Sequence, residues 1–272
     1  MPDRFFVVGA QRSGTTYLHR VLDEHPGIVM AQPVWPEPKF FSDGEQFARG
    51  IGWYDATYFH GADATLVWGD KSVGYLESEN AATRIAATVP SARIVAVLRN
   101  PVDRAVSNFR FSVGHGLETL PIEEALTADE EARVERDGDW FVVAGRRIGA
   151  SPFAYRRRGH YVVDLRRYAR LFGRERMHVL VFENAVGSPL ALRALYSFLG
   201  VDPEFAAPSA ATIVNRADAD ADDAALPDAL RRRLEDEFAL DNAALAAEFA
   251  LDLSAWDPAP SGSTLSAPPP SR

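Results

Sequence analysis

Between Gly9 and Thr16 the chain reads GAQRSGTT, and these residue types at this spacing can hold an anion. The pattern G-x-x-x-x-G lies between an apolar run, Phe5 to Gly9, and a stretch with Leu18, Val21 and Leu22 on one helical stripe. At such a strand-to-helix turn, successive backbone N–H groups and the helix N-terminus face one negative charge. Arg12, Ser13, Gly14, Thr15 and Thr16 would add a guanidinium and three hydroxyls. Thr15 and Thr16 follow the second glycine, where a nucleotide triphosphatase has Lys and then Ser or Thr. The cation stands inside the loop instead, at Arg12. A second cation, Arg99, closes the apolar run IVAVL (94–98), with Ser107 two helical turns further on. A triphosphatase commonly ends such a strand on an aspartate that serves magnesium. An arginine at the carboxyl edge of a parallel sheet is placed for an anionic ligand. Taken singly, Arg99 could serve a salt bridge, and Ser107 is an ordinary helical serine.

The elements that must position these residues are legible in outline. Short apolar runs at 5–9, 28–30, 66–69, 94–98 and 178–182 alternate with helical patterning. This predicts an α/β, three-layer, P-loop-like fold with a central parallel sheet flanked by helices. The first helix should end before Pro26, and a second should start at Asn100 as N-cap with Pro101 at its first position. Its apolar stripe is Val102, Ala105, Val106, Phe109 and Val113. Between 117 and 158 the patterning loosens, which reads as an insertion over the sheet and a mobile lid. Helical periodicity returns at 162–172, at 190–199 before Gly200, and at 226–251. Residues 1–256 read as a single domain and 257–272, rich in Pro and Ser, as a disordered tail.

Composition narrows the class. The apolar fraction of 47% and charged fraction of 25% are those of a soluble globular protein, and no apolar run approaches the ~18 residues that span a bilayer. MPDRFF runs straight into the first strand with no room for a leader, so a cytoplasmic protein without membrane insertion is expected. The lack of cysteine removes disulfides, thiolate metal sites and cysteine nucleophiles. A net charge of -9 argues against nucleic-acid binding. Charge is nonetheless uneven. Ten arginines fall between Arg146 and Arg176, whereas Asp202 to Asp257 holds 14 acids against 4 arginines. Such runs read either as solvated helix faces or, for the basic one, as the neighbourhood of an anionic ligand.

Together, AQRSGTT and the Arg99 and Ser107 pair resemble the sulfotransferases that use 3′-phosphoadenosine 5′-phosphosulfate (PAPS). In that family a loop of the form P/Q-K/R-S/T-G-T-T holds the donor's 5′-phosphosulfate, and an arginine and a serine eight residues apart hold its 3′-phosphate. Further similar segments are WPEPKFF (35–41), GDKSVGYL (69–76), RRGHYVVDLRRYARLFG (157–173), HVLVFEN (178–184) and LDNAALAAEFALDLSAW (240–256). The likeness covers about residues 4 to 256. It is closer to the bacterial and membrane, glycosaminoglycan-type branch, which often has arginine in the loop.

The resemblance implies a donor site of Gln11, Arg12, Ser13, Gly14, Thr15, Thr16, Arg99 and Ser107, with no metal required. It makes Glu37 the base that takes the acceptor's proton, whereas on the residues alone a glutamate between two prolines reads as an exposed loop residue. Pro36 and Lys39 depart from the family's K-E-P-x-F-F segment, where lysine and often histidine stand, and Lys39 is the candidate for the missing cation. Lys71 matches a lysine near the transferred group, and Arg12 would meet charge on the leaving oxygens. His60 and His115 are rival bases, and His25 reads as a packing or capping residue. The acceptor would be a small molecule, lipid or saccharide, sulfated on oxygen or nitrogen. Trp53, Tyr54, Phe111, Trp140 and Phe153 are candidates for its pocket or for the core. High alanine and arginine usage is compatible with a bacterial source and with tailoring of a secondary metabolite. The alternatives are a P-loop kinase or triphosphatase, and a noncatalytic nucleotide-binding protein.

Overall fold

The computed structural model describes residues 2–137, 140–143, 145–148, 151–211 and 226–257. Five strands, β1 (Arg4–Gly9), β2 (Ile28–Met30), β3 (Val67–Lys71), β4 (Arg93–Leu98) and β8 (Met177–Val181), form a wholly parallel sheet in the order β2-β3-β1-β4-β8. Alternation along each strand builds two apolar faces. On one, Phe5, Val7, Val95 and Val97 meet α1 (Thr15–Asp23) and α9 (Pro189–Leu199) through Leu18, Val21, Leu195 and Leu199. On the other, Phe6, Val8, Ile94, Ala96 and Leu98 are covered by α3 (Ile51–Tyr58), α4 (Glu79–Thr88), α7 (Tyr161–Phe172) and the end of α10 (Asp228–Phe249). The expected three layers are therefore present, with short helices α2 (Gly44–Phe47) and α8 (Phe182–Ala185) in connections.

Three boundaries differ from the sequence reading for physical reasons. β3 runs past the apolar stretch 66–69 to Asp70 and Lys71, because the ladder to β1 continues through Phe6 and Val7 whatever the side-chain charge. The strand expected over 178–182 stops at Val181, and Phe182 opens α8. Residues 117–158 are not without pattern. They hold α6 (Ile122–Ala125) and a small antiparallel sheet of β5 (Glu135–Asp137), β6 (Trp140–Val143) and β7 (Arg146–Ile148). This insertion is seated by a third apolar cluster, in which Ile122, Phe153 and Tyr155 pack with Val102 and Val106 of α5 (Pro101–Gly114) and with Leu234 and Phe238 of α10. Of the expected disordered tail, 257–272, all but Asp257 lies outside the described residues.

The two opposed charge runs also find a place. Arg156 pairs with Glu237, His160 with Asp241, and Arg166 with Glu248, so α10 lays part of its acidic face against the basic segment. Exposed pairs of this kind contribute little singly, about 0–1 kcal/mol.

Two glycines give opposite tests of the packing. A Cβ on Gly69, in β3, would stand 2.2 Å from the ring tip of Phe5 and 2.6 Å from the sulfur of Met30. Gly69→Ala is expected to lower stability by about 1–3 kcal/mol. Gly52 lies inside α3 with nothing within 4 Å of such a Cβ. Gly52→Ala should be neutral or raise stability by up to about 1 kcal/mol. Thermal melts of the two variants would show this ordering, and equal melting temperatures would contradict it.

Candidate active site

The carboxyl ends of β1, β3 and β4 open on one cleft of about 1070 Å3, at the upper end of ordinary small-molecule sites. Its floor is the turn from β1 into α1. Gly14 is the N-cap of that helix in the left-handed conformation (φ 81°), and no side chain caps it, so the first amides of α1 keep their donors for a ligand. Only glycine fits here. A Cβ would meet the Phe182 ring at 2.6 Å. Gln11, Arg12, Gly14, Thr15 and Thr16 line the cleft, while Ser13 is fully buried beneath them.

α5 forms the second wall. Asn100 caps it, its side-chain oxygen accepting from the amides of Val102 (3.0 Å) and Asp103 (3.2 Å), with Pro101 at the first position as expected. This cap turns Ser107, Asn108 and Phe111 toward the cleft. Arg12 Nε donates to Ser107 Oγ at 3.2 Å, and the Arg12 guanidinium lies 4.9 Å from the centre of the Phe111 ring. Arg99 leaves the end of β4 with its guanidinium 5.1 Å from the Phe182 ring and a long contact, 3.5 Å, to the carbonyl of Arg12. Burial and the neighbouring Arg99 lower the Arg12 pKa below its usual value, but a guanidinium still stays charged.

Across the cleft stands the segment before α2. Glu37 is 8% exposed, which overturns the residue-only expectation of an exposed loop glutamate. One carboxylate oxygen accepts from Lys71 Nζ at 2.6 Å and the other from the amide of Val73 at 3.1 Å. Lys39 lines the same wall with a positive φ of 54°. Among the described residues neither Arg12, Arg99 nor Lys39 has an acidic partner. The carboxylates of the cleft, by contrast, are all engaged. Glu37 holds Lys71, Glu77 holds Arg157 and Arg158, Asp103 holds Arg231, and Glu183 accepts from the Asn100 amide and from Trp256 Nε1. The cleft therefore carries a surplus of positive charge, inside a chain of net charge -9.

The rival bases separate. His115 stands at the rim, its ring 3.9 Å from that of Phe111. His60 is exposed and is not part of the cleft lining. His25 is a packing residue: Nδ1 accepts from the Gly27 amide, which leaves Nε2 to donate to the carbonyl of Asp202. Of the aromatic candidates whose side chains are described, Phe111 alone lines the cleft. Tyr54 and Phe153 are buried, Trp53 packs against Phe40 in the core, and the Trp140 side chain lies outside the described part. Sequence reasoning missed Trp35, 74% exposed on the cleft wall, although prolines on both sides of it were a signal of a stiff, presented loop. It also missed Arg158, which donates to the Gln11 side chain at 2.6 Å and to Glu77 at 2.8 Å and so ties the basic segment to the anion loop.

Residues 2–218 match the family model described as the sulfotransferase domain. The chain belongs to the sulfotransferase family. A solved sulfotransferase from Alicyclobacillus acidocaldarius is 31% identical to it, with a TM-score of 0.74 over 94% of this chain and 98% of that one. Curated relatives include the bifunctional heparan sulfate N-deacetylase/N-sulfotransferase 2 of Bos taurus, 36% identical over 117 residues, and N-deacetylase/N-sulfotransferase 1 of Caenorhabditis elegans, 32% over 118. Each match takes in 42% of this chain but 13% of the relative. The fold seen here, a five-stranded parallel sheet between helices, is the one that the alternation of apolar runs and helical patterning predicted. No helix among the described residues is long and apolar enough to cross a membrane.

Proposed function

We propose that the protein transfers a sulfuryl group from PAPS to a hydroxyl or amine of a small-molecule, lipid or saccharide acceptor, with no metal required. One observation carries this reading. The two predicted phosphate elements, the β1–α1 loop and the head of α5, share one cleft and touch through Arg12 and Ser107 (3.2 Å), opposite the Glu37–Lys71 pair. Arg12 and Arg99, without an acidic partner among the described residues, suit a ligand with anionic groups at two separated positions. Gln11, Thr15, Thr16 and the amides at Gly14 would hold the 5′-phosphosulfate, and Arg99 with Ser107 the 3′-phosphate. Ser13 would contribute its backbone only, since its side chain is buried.

The roles follow from where charge moves. Glu37 takes the acceptor's proton as the acceptor atom bonds to sulfur and the sulfur–oxygen bond to phosphate breaks. Protonation removes the partner of Lys71, freeing that ammonium to meet charge on the transferred group at the moment it develops. Arg12 meets the leaving oxygen, and Lys39 adds a cation on the acceptor side. A kinase or triphosphatase reading is disfavoured by Thr15 after the second glycine and by Arg99 at the end of β4.

The test uses the full chain with PAPS and a panel of phenols, alcohols, amines and saccharides, read by the mass gain of SO3 and by release of 3′,5′-bisphosphate. Transfer to at least one acceptor and bisphosphate binding without magnesium are expected. Binding without any transfer would leave the noncatalytic reading. Magnesium-dependent ATP binding would leave the kinase one.

A further inference from the structure

Asp70 and Lys71 are consecutive on β3, so their side chains leave the strand on opposite sides. Lys71 enters the cleft. Asp70 turns beneath it into the aromatic core, where it is 1% exposed. A carboxylate there is costly unless every lone pair is used. Asp70 receives three hydroxyls: Ser72 Oγ on one oxygen at 2.8 Å, and Tyr54 and Tyr75 on the other at 2.8 and 3.0 Å.

The direction of these bonds matters more than their number. An ionised carboxylate only accepts, so each hydroxyl must spend its single proton on Asp70. The oxygens of Ser72 and Tyr75 are then left as acceptors. Both are used by the segment that carries Glu37: the Lys39 amide donates to Ser72 Oγ at 3.0 Å and the Phe41 amide to Tyr75 at 3.3 Å. Lys39 sits between these anchors in the left-handed conformation, which costs a non-glycine residue about 1–2 kcal/mol and persists only where surroundings impose it. Tyr75 also touches Phe41 edge to face. Burial raises the Asp70 pKa to about 6, partly offset by the three hydroxyls; with amides arriving at Ser72 and Tyr75, those hydroxyls' own protons point to Asp70, which acts as the acceptor.

We propose that Asp70 is a positioning residue for the acceptor-side machinery: acting through Ser72 and Tyr75, it holds segment 37–41 against β3 so that Glu37 and Lys39 face the cleft. The inference rests on the roles given to Glu37 and Lys39 above. Asp70 touches no substrate. It sets the polarity of a hydroxyl relay, and the relay sets the loop.

Ser72→Ala and Asp70→Asn in the full chain test this. Ser72→Ala leaves the carboxylate with both tyrosines, and so covers the case in which Asp70→Asn fails to fold. Amide hydrogen exchange should accelerate about fivefold or more, the worth of one net hydrogen bond, at Lys39 and Phe41 in Asp70→Asn and at Lys39 in Ser72→Ala, with β1 and β4 unchanged. Turnover should fall about 10- to 10²-fold through misplaced groups, while 3′,5′-bisphosphate affinity stays at the wild-type value. Unchanged exchange at 39–41 would overturn the proposal, as would faster exchange with wild-type turnover. Loss of bisphosphate binding in step with turnover would make Asp70 a general core residue and overturn it too. Should the wild-type chain transfer no sulfuryl group, the proposed function falls, and the exchange measurement still decides whether Asp70 holds the segment.

Discussion

Glu37→Gln is expected to lower turnover by about 10²–10⁴-fold, the usual worth of a positioned general base, while leaving bisphosphate affinity intact. Glutamine keeps the shape of the side chain, but its single oxygen can accept from only one of the two donors, Lys71 Nζ and the Val73 amide, that now occupy separate carboxylate oxygens, and basicity is lost. The substitution has a second effect. Lys71 is 5% exposed and has Glu37 as its ion-pair partner, so a neutral partner leaves a buried ammonium uncompensated. Breaking a buried pair from one side typically costs about 3–5 kcal/mol. A cycle with Lys71→Met separates the two effects. The double variant should recover much of the melting temperature and none of the turnover. Wild-type turnover in Glu37→Gln with normal bisphosphate binding would remove Glu37 from the mechanism and return attention to His115, the histidine at the cleft rim.

The second large effect is expected at Arg12. Arg12→Ala should lower turnover by about 10²–10³-fold, by analogy with loss of one donor to a developing oxyanion. Because Arg12 also bonds Ser107, bisphosphate affinity should fall in the same variant, unlike in Glu37→Gln. Arg12→Lys keeps the charge and loses the fixed fork that reaches Ser107 while facing the cleft, so partial rescue of turnover is expected. Both replacements must adopt the positive φ of 68° held by Arg12, so backbone strain is common to them and cancels in the comparison. Equal loss in Lys and Ala variants would show that a point charge contributes nothing there. Retained turnover in Arg12→Ala would refute the leaving-group role outright.

The parts of the fold legible in the sequence are those set by local pattern. β1 and β4 are uninterrupted apolar runs, and the turn glycines of the anion loop and the Asn100–Pro101 cap are short-range signals. What was not legible depends on partners far along the chain. Asp70 and Lys71 read as the end of a strand because they are charged, whereas a ladder to β1 carries the strand through them. Glu37 read as exposed because prolines flank it. Its burial comes from Lys71, 34 residues away, and from the aromatic packing of Phe40 and Phe41 that follows it. Within the basic run, Arg158 turned inward to Gln11, 147 residues earlier, while Arg166 stayed on the surface. Nothing in the spacing of the arginines distinguishes the two. The resemblance supplied the candidate residues, but their joining into one cleft is a property of the sheet edge.

The tie between Asn100 and Trp256 makes the start of α5 depend on a segment far along the chain. The Asn100 side chain donates to the Trp256 carbonyl across 156 residues of chain, and Glu183 bridges the Asn100 amide to the Trp256 indole. The β1–α1 loop is held from afar by Arg158 on Gln11 and by Phe182 over Gly14, and the head of α5 by the docking of residue 256. Contacts of such sequence separation form late, after the cost of closing a long loop is met. A ligand that bridges both elements would therefore favour the state in which residue 256 is docked. By mass action such a ligand would stabilise the loop and the docked segment together, so its binding would register whether residue 256 is in place.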